Sequence, residues 1–354
     1  MLKSITSITA LLASSVLLTG CLYEEPKTTA DGEDGVDPTE VTVKANINLN
    51  LQLPSSDGKT TLERPLAGEK PQFRHRFVIE TFLNGISAGR QVVYKDIIDG
   101  QSTITLPVSM KLHARNYKIA VWSDYVQTPD EANGITGTEE YFYDTTSGHL
   151  QTVLMNDSYR GNNEYKDAFC GVAEADLESY RNQWGALVNL DIDLKRPVAR
   201  YELKTNDVSK FLGNISAGIV KGTTFTVRLR YSNYLNTGYN VLESLPRNGL
   251  MYMQYEKTLK SADLKAGEDF TLAFDYVFAP ADKTYRIPVT LEVIDSSQKT
   301  IASTSFNIVA QAGMNYTFTK NFLTAGSGDG VHINPDYSGE IETDIPGTVT
   351  GDKK

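Results

Sequence analysis

The sequence contains very few of the residues from which most catalytic and metal sites are built. It has two cysteines and four histidines in 354 residues. The histidines are scattered, without the spacing of metal ligands, and no G-x-S-x-G nucleophile elbow or phosphate-cradling loop is present. The run "GSGDG" at Gly326 to Gly330 is predicted to be a turn, since its aspartate would repel a phosphate. We therefore predict that the protein is not an enzyme and holds no metal or cofactor.

Positive charge and thiols are also scarce. The formal net charge is −10 at pH 7, with 34 Lys and Arg against 44 Asp and Glu. Binding to nucleic acid requires clustered basic residues, so we predict no nucleic-acid partner. After Cys21 only Cys170 remains, and a single thiol cannot form an internal disulfide, so the fold must depend on its apolar core. Cys170 is predicted to be a buried free thiol rather than a nucleophile.

The chain has no uncharged apolar run long enough to span a bilayer comfortably. The run from Ile5 to Leu18 falls short of the roughly 20 residues that spanning requires. Lys3, this apolar run and the box Leu18-Thr19-Gly20-Cys21 follow one another as in a lipoprotein signal peptide, predicted here for residues 1–20. We predict that Cys21 is the lipidated first residue of the mature protein, because this box resembles a bacterial lipobox and only a thiol can carry the thioether-linked lipid. Several acyl chains would hold the protein firmly on a membrane. An ordinary secretory peptide with a chance cysteine is the alternative.

An acidic stretch, poor in apolar residues, follows the predicted lipid site. Residues 21–40 include "DGEDGVDP" (Asp31 to Pro38), which cannot bury a core and is predicted to be a disordered tether. The ligand order of an EF-hand is absent, so a solvated spacer is favoured over a calcium loop. Glu24 and Glu25 resemble the acidic export signal of Bacteroidetes surface lipoproteins. That resemblance implies an outer-membrane location with the protein exposed at the cell surface.

From residue 41 onward, apolar and polar residues alternate. Such alternation predicts strands with one dry and one wet face, and it recurs at 77–79, 104–110, 117–121, 188–194, 198–203, 225–231, 270–278, 285–293, 302–308 and 316–318. The first strand is predicted to run from Val41 to Leu53. The only helical pattern is short, at 205–212, with Thr205 or Asn206 as its predicted N-cap.

Many short strands separated by Gly- and Asn-rich turns predict an all-β chain. We expect two tandem antiparallel β-sandwich domains of the transthyretin-like or immunoglobulin-like Greek-key type, at 41–205 and 206–354. The interval from Thr128 to Gly171 is polar and alternates poorly. It is predicted to form loops on the first domain, where a ligand would bind. His75, between two arginines, is predicted to lie on a solvated strand edge.

Four stretches carry a resemblance to a known family: "NYKIAVWSDYV" (116–126), "YRGNNEYKDAFCG" (159–171), "RPVARYEL" (196–203) and "NFLTAGSGDGVHINPDYSGEIE" (321–342). They resemble the fimbrillin-like lipoproteins of the Bacteroidetes, which include the two-domain β-sandwich subunits and anchors of the type V pilus. The resemblance covers roughly residues 41–345. Tyr117 and Trp122 in the first stretch are predicted to be packing residues.

The resemblance implies a mechanism of assembly. In that family a surface protease cuts after Arg or Lys and removes the first strand, and a strand of the next subunit replaces it by β-augmentation. Here Lys59, Arg64 and Lys70 are the candidate cleavage sites in the polar loop after the first strand. An ordinary edge strand followed by an ordinary basic loop is the alternative. The candidate exchangeable strand presents Val41, Val43, Ile47, Leu49, Leu51 and Leu53.

Two classes of function remain open from the sequence. The first is a fimbrial structural, anchor or tip component in adhesion, with other fimbrial subunits as partners and assembly by β-strand addition. The second is a monomeric surface lipoprotein that binds a glycan or a host protein through the loops at 128–171. The end of the chain, Ile333 to Lys354, alternates weakly. It therefore favours an anchor, a tip or a non-polymerising relative over a stalk subunit.

Overall fold

The computed structural model describes residues 40–54, 61–62, 72–98, 100–183 and 185–326. The predicted signal peptide, the tether and the end of the chain lie outside these ranges. Within them the chain is almost entirely β, which confirms the predicted all-β class. No helix among the described residues is both long and apolar enough to cross a membrane.

The first half of the chain forms two facing sheets. One has three strands in the order β11-β1-β6 and the other has four in the order β10-β7-β4-β5. The strands are β1 Glu40–Asn50, β4 Phe73–Leu83, β5 Ile86–Lys95, β6 Thr103–His113, β7 Asn116–Gln127, β10 Phe169–Asp176 and β11 Leu187–Leu194, with a short pair β2 Leu53–Pro54 and β3 Thr61–Leu62. Their inward-facing side chains form one apolar core, to which both sheets contribute.

The second half repeats this arrangement. Its sheets have the orders β17-β12-β20 and β16-β13-β18-β19, and they enclose a core of their own. The strands are β12 Val198–Thr205, β13 Thr224–Tyr231, β16 Gln254–Lys260, β17 Phe270–Phe278, β18 Tyr285–Ile294, β19 Thr300–Ala310 and β20 Asn315–Lys320.

The two halves share one strand plan. The first strand of each half, β1 or β12, lies in the middle of the three-stranded sheet. It pairs antiparallel on one side, with β6 or β17. On the other side it pairs parallel, with β11 or β20. The sheets are therefore antiparallel as predicted except for one parallel pair in each half, formed where the last strand returns beside the first.

The predicted domain boundary divides the strands differently from their pairing. A boundary after residue 205 would assign β12 to the first half, but both partners of β12 lie in the second half. We propose instead that the halves meet at residues 195–197, between β11 and β12. The alternating pattern runs on from β11 into β12 with only a short break, so the sequence did not indicate the change.

The interval from Thr128 to Gly171 is mostly exposed at residues 129–139, and from Phe142 onward it is a packed connector between the two halves. It contains β8 Tyr143–Asp144 and β9 Val153–Met155. These strands join β14 Leu235–Asn240 and β15 Leu245–Leu250 of the second half in a sheet of order β15-β14-β9-β8. Buried aromatic and aliphatic side chains from the connector and from both halves form a third core, here called the junction core. Its apolar residues are irregularly spaced, so the sequence showed no period.

His75 is also placed differently from its prediction. It lies in β4, between β5 and β7, and is only 1 % exposed. Its ring is centred 4.3 Å from that of Tyr125. Strand β4 is buried on both faces, because one face covers the core of the first half and the other covers the junction core.

The described chain contains one α-helix, α1 Val208–Ser216, which confirms the predicted short helix. Its N-cap residue is Asp207, not Thr205 or Asn206. The Asp207 carboxylate makes no cap hydrogen bond and instead accepts one from the backbone N–H of Thr324 over 2.7 Å. The remaining helical segments are single 3-10 turns at Glu131–Asn133, His149–Gln151, Glu164–Lys166, Glu178–Tyr180 and Ser261–Asp263.

Candidate strand-exchange site

Strand β1 is the central strand of its sheet. Residues 40–50 pair with 113–103 of β6, and residues 42–49 pair with 187–194 of β11. An edge strand has one free row of N–H and C=O groups, whereas both rows of β1 are paired. The alternative of an ordinary edge strand is therefore wrong.

The dry face of β1 fills the core of the first half. Its five inward side chains are at most 2 % exposed and belong to Val41, Val43, Ala45, Ile47 and Leu49. Full burial of a Val, Ile or Leu side chain contributes about 1.5–3 kcal/mol to folding. Most of the attachment of β1 is therefore apolar packing and backbone pairing, neither of which requires a particular side chain.

The predicted strand is longer than the observed one. Strand β1 ends at Asn50, whose side-chain oxygen accepts a hydrogen bond from the backbone N–H of Gln52 over 2.9 Å. This Asx turn bends the chain out of the strand. Leu51 is consequently half-buried, and Leu53, although 2 % exposed, packs in the junction core. Two of the six candidate positions, Leu51 and Leu53, thus lie beyond the strand.

The wet face of β1 is held by weak exposed contacts. The Asn46 and Asn48 side-chain amides donate to the carboxylates of Asp191 and Asp193 over 3.1 and 3.0 Å. At the start of the strand, Lys111 Nζ lies 3.0 Å from a carboxylate oxygen of Glu40. Exposed pairs of this kind contribute about 0–1 kcal/mol each, so they bias the register without fixing the strand permanently.

A buried arginine holds the end of β1. Arg196 donates through Nη2 to the Leu51 carbonyl and through Nη1 to the Gln52 carbonyl, both over 2.6 Å. Its Nε donates to both carboxylate oxygens of Asp167 over 3.1 Å, and its guanidinium lies 4.4 Å from the centre of the Phe169 ring. The side chains of Arg196 and Asp167 are 6 % and 1 % exposed. We call Arg196, Asp167 and the two carbonyls the Arg196 clasp.

The neighbouring connector residue attaches to the second half. Lys166 Nζ lies 2.8 Å from Asp275 Oδ1, and both side chains are almost completely buried. The hydroxyls of Tyr159 and Tyr231 donate to Asp275 Oδ2 over 2.5 and 2.7 Å. Burial lowers the pKa of Lys166, and the charge of Asp275 opposes that shift. Residues 166 and 167 therefore link the second half to the end of β1.

Cys170 is a free thiol packed in the junction core, as predicted. Burial raises its pKa to about 12. Because the thiolate is the reactive form, this cysteine is not a nucleophile at neutral pH. The described residues also contain no group of three or more His, Cys, Asp or Glu side chains able to hold a metal ion.

Two neighbouring cavities lie at one end of the first half, away from the predicted binding loops. One has a volume of about 400 Å³ and the other about 590 Å³, and both are lined by Asn84 and Asn116. The smaller also contacts Glu174 and Asp176. No residue of the interval Thr128 to Gly171 lines either cavity.

Comparison with known proteins assigns a family to the chain. The profile named "Family of unknown function (DUF6562)" matches residues 38–349. The chain belongs to this family. No curated protein matches it. The DUF6562 match covers both halves and the connector, and its description carries no activity.

Several solved structures are distantly similar to this DUF6562 chain. A "putative adhesin" from Bacteroides ovatus is 15 % identical, covering 78 % of this chain and 79 % of its own, with a TM-score of 0.40. A "putative cell adhesion protein" from Bacteroides eggerthii is 12 % identical, with coverages of 81 % and 89 % and a TM-score of 0.39. The fimbrial anchor protein Mfa2 from Porphyromonas gingivalis is 11 % identical, with coverages of 74 % and 82 % and a TM-score of 0.36. Scores this low carry no function over to the DUF6562 chain.

The sequence-predicted site residues divide into two groups. Cys21, Lys59, Arg64 and Lys70 lie outside the described residues and stay predictions. The apolar positions of the first strand are brought together on one face of β1, with the exceptions at its end. Sequence reasoning missed the Arg196 clasp and the Lys166–Asp275 pair. Two of the stretches that resemble fimbrillin-like proteins contain Lys166, Asp167 and Arg196, but nothing in the sequence indicated what these residues contact.

Proposed function

We propose that the protein is a cell-surface lipoprotein that serves as a fimbrial structural, anchor or tip component in adhesion, and that β1 is its exchangeable strand. The observation that carries this proposal is the position of β1. It is the first described strand, yet it lies in the middle of a sheet with a completely buried apolar face. Such a strand can leave after a single cut on its C-terminal side.

Departure of β1 would create a site with defined chemistry. The facing rows of backbone groups on β6 and β11 would lose their partners, and the core would lose five apolar side chains. An extended segment with apolar residues at every second position would restore both, because backbone pairing supplies affinity and alternate side chains fill pockets. The partner is therefore a strand of another subunit, running antiparallel to β6.

The position of the predicted lipid site before β1 distinguishes an anchor from a subunit that enters a polymer. Cys21 precedes β1, so a cut at Lys59, Arg64 or Lys70 would separate the lipid and β1 from the rest of the chain. A protein that keeps β1 would stay on the membrane and act as an anchor. A protein that loses β1 would be free to accept a strand and enter a polymer.

A second candidate function is glycan binding, supported by the paired cavities at Asn84 and Asn116. Their lining includes side-chain amides, the carboxylates of Glu174 and Asp176, and the guanidinium of Arg115. These groups suit a ligand rich in hydroxyls. The part of the predicted binding interval from Phe142 to Cys170 contributes to the junction core.

Mass spectrometry of protein from outer-membrane and sheared-surface fractions tests the first proposal. We expect an acylated Cys21 in the membrane fraction. A chain beginning after Lys59, Arg64 or Lys70 in sheared high-mass material would show removal of the strand and assembly. Replacement of all three residues by Gln should abolish that product, whereas Lys95→Gln on the exposed end of β5 should not. Recovery of the intact chain only as a monomer in every fraction would contradict the fimbrial role.

A further inference from the structure

We infer that Arg196 determines the register and length of any strand that occupies the β1 position. We call the site between β6 and β11 that β1 occupies the groove. Arg196 is a specificity-determining residue because it requires two backbone carbonyls at one fixed point of this groove. This inference rests on the proposed function, because it concerns the strand that replaces β1 as well as β1 itself.

Arg196 is held in place independently of β1. Its Nε is bound to both oxygens of Asp167, and its guanidinium lies against the ring of Phe169. The preceding residue, Lys195, exchanges backbone hydrogen bonds with Cys170 over 2.8 and 2.9 Å. None of these partners belongs to β1, so the two Nη groups would keep their positions when the strand leaves.

The two Nη groups need acceptors. Arg196 is 6 % exposed at its side chain, and a guanidinium has donors but no acceptor. In the observed state Nη1 and Nη2 are satisfied by the carbonyls of Gln52 and Leu51. A buried donor without an acceptor is costly, so an occupant that fails to supply these carbonyls is penalised.

The end of β1 is shaped to present those carbonyls. The Asx turn at Asn50 bends the chain, while Leu51 donates its backbone N–H to the Ser102 carbonyl over 2.9 Å. An occupant therefore needs five inward apolar residues, then an Asn or Asp at the position of Asn50, and then two residues with free carbonyls.

The Arg196 clasp distinguishes registers of the bound strand that apolar packing alone cannot distinguish. A slip of one residue turns the apolar face outward and is rejected by the core. A slip of two residues keeps the apolar face inward, so apolar packing discriminates against it only weakly. In that register the Asx turn would lie two residues away from Arg196, so the Nη groups would face carbonyls of a segment that lacks the bend.

The experiment uses the full chain with a site-specific protease sequence inserted between Pro54 and Thr61. After cleavage, the N-terminal fragment is displaced in sub-denaturing urea by fluorescent peptides. One peptide comprises residues 40–53, the second ends at Asn50, and the third is residues 40–53 with Asn50→Ala. The cleaved protein is tested in three forms: unsubstituted, Arg196→Ala and Arg196→Lys. The control is Arg228→Ala, which removes an exposed ion pair with Glu256 in the second half.

Binding of the 40–53 peptide should weaken about 10- to 100-fold in Arg196→Ala, since two charge-assisted hydrogen bonds are lost. The peptide ending at Asn50, with its C-terminus amidated, should discriminate far less between Arg196→Ala and the unsubstituted protein, because it keeps only the 3.5 Å contact of Nη1 with the Asn50 carbonyl. The Asn50→Ala peptide should lose affinity for the unsubstituted protein but little for Arg196→Lys, which cannot hold both carbonyls. Arg228→Ala should bind every peptide normally.

The outcomes separate this inference from the proposed function. If the 40–53 peptide binds but Arg196→Ala weakens both peptide lengths equally, Arg196 does not determine register, while strand exchange stands. If no peptide displaces the fragment from the unsubstituted protein, strand exchange itself is wrong and this inference falls with it. Should Arg196→Ala not fold, the peptide series against Arg196→Lys gives the same decision.

Discussion

Strands β1 and β12 occupy equivalent places in the two halves but are attached very differently. Each is the middle strand of a three-stranded sheet, with one antiparallel and one parallel neighbour. The outer face of β1 is exposed or half-buried and carries polar side chains. The outer face of β12 is largely covered: Arg200 is 3 % exposed and binds Glu164 of the connector over 2.6 Å and Asn315 of β20 over 3.0 Å.

The chain connections reinforce this difference. Strand β12 leads directly into α1 through Asp207, which is bound to the backbone of Thr324 near the end of the described chain. Strand β1 is followed by the segment that contains the candidate cleavage sites. One strand plan can therefore hold its first strand by packing on one face or on both faces. Only the one-face arrangement suits exchange.

The largest expected effect comes from breaking the link between the connector and the second half. Asp275→Ala should lower the free energy of unfolding by about 3–5 kcal/mol, because Lys166 would stay buried without its partner. Urea denaturation measures this. The double variant Lys166→Met with Asp275→Leu should recover part of the loss, because it removes both charges but leaves the hydroxyls of Tyr159 and Tyr231 without their acceptor. Equal instability of the single and double variants would refute the importance of the pair.

Substitutions that create voids in the packing of β1 and β12 should distinguish a loss of global stability from faster release of β1. Ile47→Ala and Leu203→Ala should each cost about 2–5 kcal/mol in the intact protein, since both side chains are fully buried. In the cleaved protein only Ile47→Ala should accelerate release of the N-terminal fragment, measured by size-exclusion chromatography in mild urea. Faster release in Leu203→Ala would mean that the two strands are held as one unit.

The strands that could be predicted from the sequence are those that bury one face and expose the other. Strands such as β1, β13 and β18 bury alternate residues, so their period is visible in the sequence. Strand β5 is an edge strand with no buried residue, and β14 contains Gly and Asn that are typical of turns, so both were missed.

In the candidate strand-exchange site, the apolar face of β1 could be predicted from the sequence, but the contacts of Arg196 could not. The apolar face of β1 is local in sequence, but Arg196 contacts Leu51 across 145 positions of the chain. A contact of that kind depends on the return of β11 beside β1, which no local pattern encodes. The buried surroundings of Lys166 depend similarly on the junction of the two halves.

A small effect is expected on the wet face of β1. Asn46→Ala removes an exposed hydrogen bond to Asp191 and should cost no more than about 1 kcal/mol. Urea denaturation of the intact protein measures it, with Asn48→Ala as a matched variant on the same face. A loss as large as that of Ile47→Ala would show that side-chain polarity, rather than packing, holds β1.

No effect is expected at Cys170 when β1 leaves. Because burial raises the pKa of this thiol to about 12, it stays protonated and unreactive from pH 7 to pH 10 in the folded protein. A Cys21→Ser form treated with a thiol reagent should remain unlabelled after release of β1 and react only on global unfolding. Labelling on release would show that the junction core opens together with the groove.

The most direct test of the account is exchange of β1 in the cleaved protein, followed by native mass spectrometry. An isotopically labelled peptide of residues 40–54 is added in excess at urea concentrations below global unfolding. We predict that one labelled peptide replaces one N-terminal fragment per molecule while the rest of the chain stays folded. Entry of the label only at urea concentrations that unfold the whole protein would contradict the claim that β1 is exchangeable.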